Sequence, residues 1–250
     1  QGFVRISLFF GQNDILRGDF GVSYTKAGLT VNKVIADGFP FSLTIGIYAS
    51  LVVVFAGILF GSVCALRQNK LIDRFFMVLS TLGSTIPSFV LATGFLFLFS
   101  KTLGLVPAFG VDEVAGYIGP VLVIGAFPLS FITRLTRTSL VEVQQQDYIR
   151  TARSKGISEF KVIYKHALRN ALLPVVTYIG PMVASIVTGS FVIETVFGIP
   201  GVGQLFTDSI VNRDYPLIMG ITVFFAVLLV LAVLIVDLVY VLIDPRIKLD

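Results

Sequence analysis

The feature that most constrains this chain is a series of long apolar runs without a charged residue. The clearest extends from Phe41 to Ala65, and the others cover 75–100, 117–133, 171–193 and 216–236. A helix needs about 20 mainly apolar residues to cross a bilayer, and only helices and closed barrels satisfy every backbone polar group inside it. The pattern predicts an all-α integral membrane protein, a polytopic helical bundle with five spans.

The composition agrees with a membrane protein. Apolar residues make up 55% of the chain and charged residues 14%, and the mean hydropathy is +0.90. The net charge of +4 is too small to indicate a nucleic-acid partner. One cysteine excludes a disulfide within the chain, and one histidine leaves a His-rich metal site or a His-based triad without a second member.

The N-terminal residues differ from the rest of the chain. Residues 1–40 contain no apolar run long enough to cross a bilayer, and they predict an amphipathic helix and loops on the external membrane face. We therefore expect an external segment at 1–40 and a membrane domain at 41–250. Because the chain begins with Gln1 rather than Met, we expect that its true N-terminus is missing, and an odd number of spans with an external start fits a missing first span.

The distribution of lysine and arginine predicts the orientation. The loops at 66–74 and 134–170 hold three and eight of these residues, and the C-terminal tail holds two. The opposing loops at 101–116 and 194–216 hold one each. Basic loops remain in the cytoplasm, so the C-terminus is predicted to be cytoplasmic and residues 1–40 external.

Two local patterns predict details of the spans. Pro87 lies in the middle of its apolar run, which favours a kinked helix over two half-helices. Gly57 and Gly61 form a GxxxG pair, which allows a second helix to approach closely, although a chance pairing in a glycine-rich chain is the alternative.

Charged residues lie at or near the ends of several apolar runs. Arg134 and Arg137 are interpreted as anchors at the cytoplasmic surface, and Glu194 as a charge at the external edge. No acidic residue lies near the middle of an apolar run, which argues against a proton-driven carrier.

A strongly basic polar segment, residues 147–174, leads into the fourth apolar run. Gly156 divides it, because glycine can take the left-handed conformation that ends a helix, and Ser158 can cap the helix that follows. A spacing of 3.6 residues predicts two faces on that helix. The apolar face has Phe160, Ile163, Tyr164, Ala167, Leu168 and Ala171, and the basic face has Lys161, Lys165 and Arg169.

Two interpretations of this second helix are open on physical grounds. It can lie on anionic lipid with its basic face toward the head groups. It can also insert its apolar face into the groove of a partner protein.

The segment also resembles a known family. The string RTARSKG, followed by KHALRNALLP, is similar to the cytoplasmic coupling loop of ABC importer permeases. Where the wider superfamily has Glu-Ala-Ala before the glycine, this chain has Arg150, Thr151 and Ala152. His166 and Arg169 stand where an Ile and a Pro are usual. These departures resemble the B-type membrane subunit of the dipeptide, oligopeptide and nickel transporters.

The resemblance covers nearly the whole chain and implies the fold of a type I ABC importer permease, with six spans in the complete protein. It also implies a coupling loop at about 138–170 that contacts an ATPase subunit. The residues of this chain assigned to that contact are Arg150, Thr151, Ala152, Arg153, Gly156, Ser158, Phe160, Ile163, Tyr164 and Ala167.

The resemblance further implies the partners. These are two ATPase subunits, a second homologous permease subunit and an extracytoplasmic substrate-binding protein, in the cytoplasmic membrane of a bacterium or archaeon. ATP and magnesium are expected on the ATPase subunits, since this sequence has no G-x-x-x-x-G-K-[ST] phosphate loop. The chain itself is then a transport subunit and not an enzyme.

The expected cargo is peptides, which pass through a mostly apolar and uncharged cavity near Pro87, Pro128, Gly180 and Pro181. Nickel, a metal complex or glutathione are alternatives, because the same branch carries them. An ion-coupled carrier or channel that works alone is the alternative from a different class.

Overall fold

The computed structural model of the chain describes residues 18–111, 113–188 and 190–243. In these ranges nearly all regular structure is helical, and the β contact between Val22 and Thr30 is an isolated bridge. The helices are α1 (Val31–Leu66), α2 (Leu71–Thr85), α3 (Ser88–Thr102), α4 (Ile118–Gln144), α5 (Asp147–Ser154), α6 (Glu159–Ala171), α7 (Leu173–Val187), α8 (Phe191–Phe197), α9 (Val202–Val211) and α10 (Tyr215–Ile243).

Helix α1 begins earlier than the sequence predicted. The apolar run begins at Phe41, but the helix begins at Val31, because the Thr30 hydroxyl accepts a hydrogen bond from the Lys33 amide at 3.3 Å and caps it. Pro40 is accommodated inside the helix. The predicted division at residue 40 therefore falls inside α1, and the amphipathic helix expected at 3–10 lies outside the described residues.

Glycines allow α1 and α4 to pack closely. A Cβ at Gly57 would lie 2.7 Å from Cγ2 of Ile132, and a Cβ at Gly61 would lie 2.5 Å from Cβ of Thr136. Both distances are shorter than real Cβ contacts, so any larger residue would push the helices apart. The close approach predicted from the GxxxG pair is confirmed.

The apolar run around Pro87 is broken rather than kinked. Helices α2 and α3 meet at an angle of 110°, so the prediction of one kinked helix is wrong. Proline disfavours the helical conformation of the residue before it, and Ile86 is extended, with φ −75° and ψ 127°. The two halves therefore point in different directions and leave space at the bend.

The fourth apolar run is also divided. Helices α6 and α7 are bent by 51° at Leu172, and α7 ends at Val187 instead of continuing to Ile193 as predicted. The short helix α8 begins after Ser190, whose hydroxyl accepts from the Ile193 amide at 3.4 Å. Gly198, with φ +63°, ends α8 and turns the chain toward α9.

Five candidate membrane spans result when each bent pair counts as one. By length and composition, the continuous candidates are 31–66, 114–144 and 215–235, and the bent pairs are α2 with α3 and α6 with α7. The predicted all-α membrane bundle is confirmed. Its main core joins α1, α4, α7 and α8, and a smaller core lies beneath the basic segment.

Candidate functional site

The basic segment folds as a helix, a tight turn and a second helix. Gly156 has φ +73°, so the predicted left-handed glycine is confirmed. The Gly156 amide donates to the Arg153 carbonyl at 3.0 Å, and the Ile157 amide donates to the Ala152 carbonyl at 3.4 Å. This pair of bonds is the Schellman motif, which satisfies the last carbonyls of α5 and sets the direction of α6.

The turn is closed by an ion pair rather than by a hydroxyl cap. Ser158 stands at the N-cap position of α6, but within the described residues its side chain makes no capping bond, contrary to the prediction. Arg153 instead binds Glu159 through Nε at 3.1 Å and Nη2 at 2.6 Å. This pair joins α5 to α6, so the guanidinium of Arg153 binds a carboxylate of the same segment. Both side chains are exposed, so the pair stabilises the turn by about 0.2–1 kcal/mol.

Two residues assigned to the coupling contact are buried inside the chain. Ala152 and Ala167 pack with Ile149 and Val162 in the smaller core, so their side chains are not exposed as the assigned contact would require, and that assignment stays a prediction. A π-helical turn from Val162 to Ala167 accounts for the burial of Ala167, because its i→i+5 hydrogen bonds shift residues away from the 3.6-residue period. These alanines support the exposed residues from beneath.

An aromatic pair is exposed on α6. Phe160 is 68% exposed and Tyr164 is 55% exposed, and their ring centroids lie 4.3 Å apart. Ile163 is half-buried beside them. The other exposed members of the predicted set are Arg150, Thr151, Arg153, Gly156 and Ser158. The structure therefore presents two adjacent, mutually tilted rings on a fixed turn with basic residues around them.

A second charged pair fastens α2 to α4. Arg137 binds Asp73 through Nε at 2.6 Å and Nη2 at 2.7 Å, and the Asn69 amide also donates to Asp73 at 2.8 Å. The Asp73 side chain is only 3% exposed. A buried carboxylate needs such partners, so Arg137 joins α4 to α2, and its predicted place at the cytoplasmic surface stays a prediction. Arg134, three residues earlier, donates from Nη1 to the Ser84 hydroxyl at 3.2 Å.

Glu194 is buried within the chain. It is 1% exposed, and its Oε2 accepts from the amides of Gly203 at 2.8 Å and Gln204 at 3.2 Å. These amides are in the first turn of α9, where a negative charge is stabilised. The Ser42 hydroxyl of α1 accepts from the Val202 amide at 2.9 Å. The same turn thus connects α1, α8 and α9.

Asp214 is a buried residue that the sequence analysis missed. Its carboxylate accepts from the amides of Tyr24 at 3.1 Å and Leu217 at 3.3 Å, from the Thr25 hydroxyl at 2.8 Å, and from the Ser23 hydroxyl. Burial raises the pKa of Asp214, but these hydrogen bonds outweigh it and hold the pKa below the ordinary value. The Asp-Tyr-Pro sequence before an apolar run was a usable N-cap signal.

A cavity lies at the bend between α2 and α3. Its volume is about 470 Å³, and α4, α7 and α8 complete its wall. Serine and threonine hydroxyls alternate with apolar side chains in the lining, and none of the described lining residues is charged. Pro87 and Pro128 line it as expected, whereas Gly180 and Pro181 lie elsewhere. The hydroxyl-bearing residues are Ser84, Thr85, Ser88, Ser185 and Ser190.

Comparison with known sequences decides the family. A family model described as binding-protein-dependent transport system inner membrane component matches residues 57–249. The chain belongs to this family. The resemblance first drawn from the basic segment is thereby confirmed.

Curated relatives of this inner membrane component have names from peptide transport. The chain is 48% identical over 240 residues to the dipeptide transport system permease protein DppB of Bacillus subtilis, and the match covers 96% of this chain and 78% of that protein. It is 42% identical over 242 residues to the oligopeptide transport system permease protein OppB of Haemophilus influenzae, covering 96% and 79%.

Solved structures with the same fold include two ABC transporters. One is the MetNI methionine transporter in inward-facing conformations, with a TM-score of 0.68, 16% identity, and coverage of 82% of this chain and 94% of that chain. The other is described as an amino acid ABC transporter with histidines, with a TM-score of 0.64, 16% identity, and coverage of 83% and 92%. At this identity the likeness shows the fold alone.

Family membership establishes the general role. As an inner membrane component of a binding-protein-dependent transport system, the chain is a transport subunit and not an enzyme. The family implies that it works with an ATPase and with a substrate-binding protein. A carrier or channel that works alone, the alternative from a different class, does not fit a component of such a system.

Proposed function

We propose that this inner membrane component forms, with a second homologous permease subunit, the path through which peptides enter the cell. The observation that carries the proposal is the identity of 48% and 42% to proteins named for dipeptide and oligopeptide transport. ATP and magnesium bind two separate ATPase subunits in this proposal. An extracytoplasmic binding protein delivers the peptide.

The cavity at the bend between α2 and α3 supports a path for peptides of varied sequence. Its hydroxyls can donate to and accept from the peptide backbone, whereas its apolar side chains make contacts that do not distinguish one cargo side chain from another. A lining of this kind recognises the feature that all peptides share.

The proposal predicts ATP-dependent uptake of labelled peptides. The complex, reconstituted in liposomes with its ATPase subunits and binding protein, should import dipeptides that differ in their side chains at similar rates. Nickel and glutathione, assayed in the same preparation, are the matched alternatives. Import of either one without import of any peptide would contradict peptide transport, and a strict requirement for one side-chain type would contradict the proposed cavity.

The coupling function belongs to the aromatic pair in this proposal. Phe160 and Tyr164 insert into a groove on the cytoplasmic ATPase subunit, and the fixed turn at Gly156 transmits its movement to the membrane helices. The exposure of both rings and the ion pair between Arg153 and Glu159, which holds the turn, support this role. Aromatic side chains are also common anchors in protein interfaces.

The orientation is part of the same proposal. The basic loops and the C-terminus lie in the cytoplasm, and the N-terminal end of α1 lies outside, in a bacterium or archaeon. The unequal numbers of lysine and arginine in alternate loops support this arrangement.

A further inference from the structure

Two arginines on α4 have different partners. Arg137 is neutralised by Asp73 through two short hydrogen bonds. Arg134, nearly one helical turn away, is half-buried and donates to the Ser84 hydroxyl. Within the described part of the chain, no carboxylate forms an ion pair with Arg134.

Ser84 connects Arg134 to the cavity. This serine is one of the lining residues, and its hydroxyl lies 3.2 Å from Nη1 of Arg134. The guanidinium is therefore one hydrogen bond away from a space whose described lining is uncharged. A half-buried cation in a membrane helix without a counter-ion is costly, so an anion that reaches it is stabilised.

We propose that Arg134 binds a carboxylate of the cargo at the edge of the cavity beside Ser84. This inference rests on the proposed function and deepens it, because it assigns a substrate class to the cavity. A guanidinium binds a carboxylate through two parallel hydrogen bonds, and every peptide with a free C-terminus carries such a group. The chain thus favours cargo with a free carboxylate over C-terminally amidated cargo.

A structural role for Arg134 is the competing explanation. The hydrogen bond to Ser84 joins α2 to α4, and its loss could disturb the bend for every cargo alike. The two roles differ in what they predict. A structural role affects all cargo equally, whereas a carboxylate-binding role affects only cargo with a carboxylate.

The first experiment compares a labelled dipeptide with its C-terminal amide in the reconstituted complex. Each cargo is supplied with saturating binding protein, so delivery is the same for every permease variant. Arg134→Gln should lower uptake of the free acid about tenfold, the size of one charge-assisted hydrogen bond, and leave uptake of the amide unchanged. Arg134→Lys, which keeps the charge, should recover most of the uptake of the free acid.

Arg74→Gln is the matched control. Arg74 is an exposed arginine on α2 outside the cavity, and its replacement removes the same charge. It should leave uptake of both cargoes unchanged. An equal loss of both cargoes in Arg134→Gln, or no loss of either, would overturn the inference.

The second experiment restores a charge at position 134 by chemical modification. Its only cargo is the labelled dipeptide with a free C-terminal carboxylate. Arg134→Cys is treated with a cationic or an anionic methanethiosulfonate, which forms a mixed disulfide with the new thiol and releases methanesulfinate. Cys64 is buried, and the wild-type complex treated in the same way is the control. The cationic reagent should raise uptake and the anionic one should not. Equal uptake after both reagents would show that the charge has no role.

Peptide transport and carboxylate binding by Arg134 are tested by different results. If the wild-type complex imports neither dipeptide nor amide, the proposed peptide transport is wrong, and the inference is overturned with it. If the wild type imports the dipeptide but the Arg134 variants affect both cargoes equally, peptide transport remains supported and only the inference on Arg134 is wrong.

Discussion

At the scale of single residues, the buried carboxyl groups of this protein are held by specific partners. Asp73 is paired with Arg137, and Glu194 caps the first turn of α9. Both carboxylates are almost inaccessible to water. An ionised group that loses its partner in such surroundings is left unpaired, and the loss costs more free energy than the pair contributed.

Asp73→Leu tests the cost of an unpaired charge at the ion pair of Asp73 and Arg137, which joins α2 to α4. The substitution leaves the Arg137 guanidinium without its carboxylate, so we expect the free energy of unfolding to fall by about 3–5 kcal/mol. The measurement is thermal unfolding of the purified complex in detergent. The double variant Asp73→Leu with Arg137→Met is the control, and it should regain much of the lost stability because no charge remains unpaired. An unchanged melting temperature in the single variant would contradict the structural role of the pair.

At the scale of elements, the direction of α6 depends on one backbone conformation. Gly156 has φ +73°, and among the described residues no atom lies within 4 Å of a Cβ built there. The effect of a substitution at Gly156 therefore comes from backbone strain and not from collision. A β-branched residue would be strained by roughly 1–2 kcal/mol or would move the helix away from its direction.

Gly156→Val should therefore uncouple the transporter without preventing membrane insertion. The purified complex should retain less ATPase subunit, and its cargo-stimulated ATP hydrolysis and uptake should both fall. Gly156→Asn is the matched control, because asparagine adopts the left-handed conformation more readily than valine does. This variant should keep more of the ATPase subunit, of the stimulated hydrolysis and of the uptake than Gly156→Val. Wild-type retention, hydrolysis and uptake in Gly156→Val would mean that the aromatic pair rests on lipid instead.

At the scale of the whole molecule, the distribution of charge predicts which side faces the cytoplasm. Asn212 and Ser158 are exposed on loops that the lysine and arginine counts assign to opposite sides. Ser209 lies in the same region as Asn212 but is buried, so a cysteine placed there would react poorly with a thiol reagent. Cys64 is buried as well, so an introduced cysteine is expected to give the signal.

A membrane-impermeant thiol reagent added outside intact cells tests the orientation. Asn212→Cys should react, and Ser158→Cys should react only after the membrane is permeabilised. Permeabilised cells also provide the control that both cysteines are accessible. Reaction of Ser158→Cys in intact cells would reverse the proposed orientation.

The local sequence was sufficient to predict those features of the structure whose physical cause is local. Apolar runs longer than a bilayer predicted the helical spans, because backbone groups in lipid must be satisfied within the same segment. The left-handed conformation of Gly156 and the close approach at Gly57 and Gly61 were also predictable, because both follow from the absence of a Cβ.

Only the tertiary structure decided which residues meet. Arg137 finds Asp73 across 64 positions of sequence, and Asp214 binds residues about 190 positions away, so no local pattern could predict either contact. Within the π-helical turn Ala167 is buried while Tyr164 is exposed, although a regular 3.6-residue period places the two on the same face. Pro87 permits either a kink or a break, and in the folded chain the break occurs together with the packing of α3 against α4 and α8.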